Sequence, residues 1–117
     1  MIAMPASSLN QRLSTPNKFW ESLAAGTPVV IGRDLEVMRA MIEADRMGVV
    51  ADPLDPADLA RALGEVLELP PRDYDALRGR CLAISRDRYN WETAVVPYLE
   101  LVARLGVAKP PTGAVAA

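Results

Sequence analysis

The sequence predicts an α/β fold in which a short parallel sheet is covered by helices, and three observations carry that expectation. Short apolar, β-branched runs occur at residues 27–31 and 48–51. Segments with apolar residues at helical spacing lie between and after them, and strands separated by helices pair in parallel. The stretch Ser14–Ile31 joins a capped helix directly to one of those strands.

Along the chain, Met1–Met4 is apolar and closes at Pro5, which reads as the end of a buried strand. Residues 6–14 are small and polar and read as a loop. Thr15 suits an N-cap and Pro16 the first helical position, where a missing N–H costs nothing. The helix runs over residues 15–25. Gly26 supplies its left-handed stop, and the second strand follows at residues 28–31. Asp34 is the expected cap of the next helix, with Leu35, Met38, Met41 and Ile42 on its core side. Residues 48–51 form the third strand.

Asp55-Pro-Ala-Asp58 marks a helix start with a cap, a first-turn proline and a first-turn acid. Leu59, Leu63, Val66 and Leu67 are the expected buried residues of that helix. Leu69-Pro-Pro ends it, and a further helix opens at Asp73 or Tyr74 and runs to about Arg86, with Leu77, Cys81 and Ile84 inward. Asn90 caps a last helix to about Leu105. Trp91, Val95, Tyr98 and Leu99 are expected in the core, and Pro97 is expected to kink the helix or mark its first turns. The expected organisation is one domain over residues 1–106 and a disordered tail over 107–117.

Composition narrows the chemistry. With 117 residues, half of them apolar, the chain supports one small domain. A net charge of −2 with scattered arginines gives no case for nucleic acid or an anionic membrane. Histidine is absent, which removes Ser-His-Asp and Cys-His catalysis and leaves no basis for a zinc site. The single cysteine, Cys81, cannot form an internal disulfide. It suits a reducing compartment and reads as inert packing. Asp52, Asp55 and Asp58 read as turn and capping residues, since a calcium loop needs a different spacing and a closing Glu. No run approaches the ~20 apolar residues of a membrane span. The expected location is cytoplasmic, with any membrane attachment made through parts not present here.

The chemistry concentrates in one helix. Lys18 and Glu21 are three residues apart and share a face near its start. Free N–H groups at a helix N-terminus attract an anion such as a phosphate. A carboxylate one turn deeper accepts hydrogen bonds from sugar hydroxyls. That combination describes a site for a nucleotide or a nucleotide-sugar.

The string STPNKFWESLAAGTPVVIGRD also resembles the donor-binding region of retaining glycosyltransferases of family 4, often called group 1. Their pattern P-x-K-x-x-E-x-(L/M)-A-x-G-x-P-V-(V/I) is met by Pro16, Lys18, Glu21, Leu23, Ala24, Gly26, Pro28, Val29 and Val30. Weaker likeness continues through Gly48-Val-Val, DPADLARALGEVL and Arg88-Tyr-Asn-Trp-Glu92. The resemblance implies two Rossmann-like domains in the whole enzyme (the GT-B architecture). This chain then supplies the C-terminal half of the second domain, with a three-stranded parallel sheet. It implies a nucleotide-sugar as substrate, no cofactor, no metal, and no catalytic residue within this fragment.

On that resemblance Glu21 holds the donor ribose and Lys18 reaches a donor phosphate. Thr15, Pro16 and Asn17 offer their surroundings to the sugar or pyrophosphate. The residue eight before Glu21 is Leu13, so the first acid of the family's E-x7-E motif is missing. Arg12 has two readings, a donor contact or a solvated arginine. Glu21 and Lys18 have a second reading too, as a solvated pair. The expected partners are the nucleotide-sugar, the missing N-terminal portion, and a second copy through the N-terminal strand edge. A sugar-nucleotide epimerase fragment and a non-catalytic α/β interaction module are the rival functions.

Overall fold

A computed structural model of the chain describes residues 1–106. The expected disordered tail at 107–117 lies outside the described residues. The fold is α/β. Its elements are α1 (Leu9–Leu13), α2 (Asn17–Ala24), β1 (Val29–Gly32), α3 (Glu36–Asp45), β2 (Gly48–Ala51), α4 (Pro56–Leu67), α5 (Pro71–Asp87) and α6 (Trp91–Arg104).

The sheet has two parallel strands, with Val29 opposite Gly48 and Gly32 opposite Ala51. The expected first strand at Met1–Met4 shrinks to one parallel bridge between Ile2 and Ile31. There the Ile2 N–H donates to the Val30 carbonyl at 2.8 Å, and the Ile2 carbonyl accepts from Gly32 N–H at 3.1 Å. Four residues ended by a proline give too few ladder bonds to continue further.

Alternation along β1 divides the core. Val29 and Ile31 join Phe19 and Leu23 of α2, Leu35, Met38 and Ile42 at α3, Met47, and Cys81 of α5. Val30 faces the other way and packs with Ala51 and with Ala62 and Val66 of α4. Two glycines are fixed by geometry. Gly26 has φ +68° and ends α2, as expected. At Gly48 a Cβ would collide with the Val29 carbonyl across the ladder.

Several expected boundaries move for identifiable reasons. Residues 6–14 are not all loop: Ser8 and Gln11 form a reciprocal capping box that starts α1. Thr15 does not cap α2. Pro16 takes that position in extended conformation, so the helix opens at Asn17 with no side-chain cap. Asp34 does not cap α3. Leu35 does, because its fully buried side chain anchors the turn and its N–H donates to the Gly32 carbonyl. On α4 the buried residues are Ala62 and Val66, whereas Leu67 is 76% exposed. α5 begins at Pro71, two residues before its expected start.

The largest correction concerns α6. Asn90 caps it through Thr93 N–H at 2.7 Å, as expected. None of its residues is buried, and Trp91, Tyr98 and Leu99 are all exposed. Periodicity identifies an apolar stripe but not the surface that meets it. Pro97 lies inside the helix and is not in its first turn.

Candidate functional site

Because α2 lacks a side-chain cap, the N–H groups of Asn17 and Lys18 are left for another acceptor; Phe19 N–H is already bonded to the Pro16 carbonyl at 2.9 Å. Thr15 and Pro16 are half-buried just before the helix, and Asn17 is exposed at its first position. Phe19 and Leu23 anchor the helix in the core. That anchoring turns Lys18 and Glu21 outward, where both are exposed. Neither is in an ion pair with a described residue, so the reading of a Lys18–Glu21 pair is not met.

Lys18 and Glu21 line one shallow depression of about 310 Å³ with Met1, Ile2, Ser22 and Thr27. Ligand pockets for drug-sized molecules span ~300–1,000 Å³. This one lies at the low end of that range. Thr27 precedes β1, so the depression opens toward the amino end of that strand. Ligands of open α/β sheets are expected outside the carboxyl ends of the strands, and the depression with Glu21 does not lie there.

Arg12 does not join Lys18 and Glu21. It pairs with Glu36, its Nε donating to Oε1 at 2.9 Å. Together they line a notch of about 270 Å³ with Ala6, Arg33, Asp34 and Arg39. This notch sits directly after β1, at the carboxyl end of the strand. Arg33 and Arg39 have no sequence motif of their own, and only folding brings them together.

Next to the notch, Asp58 ties the β2–α4 turn. Its carboxylate accepts from Arg61 Nε at 2.6 Å and from Asp52 N–H at 2.7 Å. The Arg61 hydrogen bond, then the Asp52 amide, lower its pKa from 3.8 to about 2, against an opposing effect of desolvation. Asp55 caps α4 through Ala57 N–H. These bonds bear out the turn-and-cap reading of the three aspartates. Cys81 is buried, and burial raises its pKa, in keeping with inert packing.

Among the described residues no group of three or more His, Cys, Asp or Glu gathers to hold a metal ion. No described helix is long and apolar enough to cross a membrane. Comparison with protein-family models, with curated proteins and with solved structures gives no match in any of the three.

Proposed function

We propose that the chain is the donor-binding part of a nucleotide-sugar-dependent, retaining glycosyltransferase of group 1 type, and the C-terminal half of a Rossmann-like domain. The observation that carries this reading is that Lys18 and Glu21 line one depression and stand in no ion pair with a described residue. Glu21 accepts the ribose hydroxyls, Lys18 faces a phosphate as a point charge, and the amides of Asn17 and Lys18 add donors. Thr15 and Pro16 set the start of the helix. Transfer without a metal depends on positive groups and oriented amides around the leaving diphosphate. The small depression accounts for one part of the donor. Arg12 is left out of the donor site because Glu36 engages it.

The test is kinetic and uses the intact enzyme. Glu21→Ala is expected to weaken donor use by roughly tenfold or more, since a hydrogen bond to a charged group contributes about 1.5–3 kcal/mol. The thermal midpoint should change little, because Glu21 is exposed. An unchanged dependence on nucleotide-sugar concentration contradicts the assignment. The isolated 117-residue chain is expected to show no turnover.

One observation favours the interaction-module reading. α6 exposes Trp91, Val96, Tyr98, Leu99 and Leu101 together, more apolar surface than one helix normally leaves to solvent. A stop codon in frame just upstream of Met1 would support that module, whereas a long open extension with a glycine-rich turn supports the transferase.

A further inference from the structure

We propose that the notch after β1 binds a phosphate group through Arg33 and Arg39, separately from the Lys18–Glu21 depression. Three elements deliver its arginines: α1 gives Arg12, the β1–α3 turn gives Arg33, and the first half of α3 gives Arg39. Their donors are unequally committed. Arg12 is spent on Glu36 through Nε. Arg39 is half-buried and donates once, from Nη1 to the Arg33 carbonyl at 3.1 Å, which orients its fork and leaves its other N–H groups without a described acceptor. Arg33 lies 3.4 and 3.5 Å from Asp52 and Asp58 and makes no side-chain hydrogen bond to a described residue. Asp58 already takes Arg61 and the Asp52 amide, so it competes weakly for Arg33.

The charges near the notch are Arg12, Arg33 and Arg39 against Asp34 and Glu36, with Asp52 and Asp58 on the far contact of Arg33. Arg12 cancels Glu36 and Arg61 cancels Asp58, which leaves Arg33 and Arg39 against Asp34 and Asp52, so the notch selects by fork geometry and not by net charge. The remaining fork-shaped donors of Arg33 and Arg39 match the paired oxygens of a phosphate, to which two guanidinium groups bind bidentately. Ligands of open α/β sheets collect outside the carboxyl ends of the strands, where this notch lies. The notch, about 270 Å³, has room for one or two phosphate groups.

The experiment is a titration of the 117-residue chain with pyrophosphate, followed by amide chemical shifts at low ionic strength. The expected result is a saturable shift of Arg33, Asp34 and Arg39. Arg33→Gln and Arg39→Gln should each weaken it at least tenfold, with amide dispersion retained. Two further arms identify the source. Inorganic phosphate binding as well as pyrophosphate assigns a free or terminal phosphate. A nucleoside diphosphate binding more tightly and also moving Asn17–Glu21 assigns the phosphate end of the donor. The proposal is overturned by the absence of saturation, by equal shifts with chloride at matched ionic strength, or by binding that survives both glutamine variants. Because Lys18 and Glu21 report on the donor site alone, failure of one site is distinguishable from failure of the other.

Discussion

Two residues decide local chemistry more than their neighbours do. Asp58 has its pKa lowered from 3.8 to about 2, so its contribution to stability is complete above about pH 4. That contribution is lost as pH falls through about 2, where the folded carboxyl protonates. Removing the Arg61 donor by Arg61→Gln is expected to return the Asp58 pKa toward the ordinary carboxylate range, read by carboxyl-carbon NMR titration. A value still near 2 would show that Arg61 is not the main cause. Gly48 is fixed by the Val29 carbonyl across the ladder. Gly48→Ala is expected to destabilise by about 1–3 kcal/mol through overpacking, measured by urea unfolding. Wild-type stability in that variant would mean the strands pair differently. Residue-level signals were legible wherever one side chain meets one neighbouring amide: Asp55 and Asn90 cap as their types suggest. They failed where tertiary burial outweighed the cap. Leu35 displaced Asp34, and Pro16 displaced Thr15.

Elements were legible in type and order, and less so in what they face. The helices α2 to α6 and the strands β1 and β2 all follow from periodicity and punctuation, whereas α1 rests on the Ser8–Gln11 box within a segment that composition alone marks as loop. Face assignment worked for α3, whose Met38 and Ile42 are buried, because the sheet covers that stripe. It failed for α6, whose stripe is as apolar but has no buried residue. The energetic consequence is testable. Phe19→Ala removes a fully buried ring and is expected to cost about 3–5 kcal/mol. Trp91→Ala removes a ring that is 72% exposed and is expected to stay within about 0.5 kcal/mol. Comparable losses in denaturant unfolding would place α6 in the core after all.

At the scale of the molecule, the sheet is narrow and the outline is long. The radius of gyration is 18.7 Å, against about 13 Å for a compact domain of this size. The exposed α6 leaves apolar surface open, and the single Ile2 bridge leaves unpaired backbone groups. Self-association of the lone chain is therefore expected in sedimentation, and a dispersed monomer with protected Ile2 amides would contradict it. The candidate site was legible only in part for the same reason. Lys18 and Glu21 are close in sequence, so their shared face could be read from their spacing. The notch of Arg12, Arg33 and Arg39 is assembled from three elements and has no linear signature.

The central claim is that the open face of α2 receives the nucleotide-sugar. Amide chemical shifts of the 117-residue chain, titrated with nucleotide-sugars of each common base, test it most directly. The account predicts saturable shifts centred on Asn17, Lys18 and Glu21 for at least one of them, lost in Glu21→Ala while the rest of the spectrum is preserved. Shifts that spare α2 for every nucleotide-sugar, or that persist unchanged in Glu21→Ala, would contradict it.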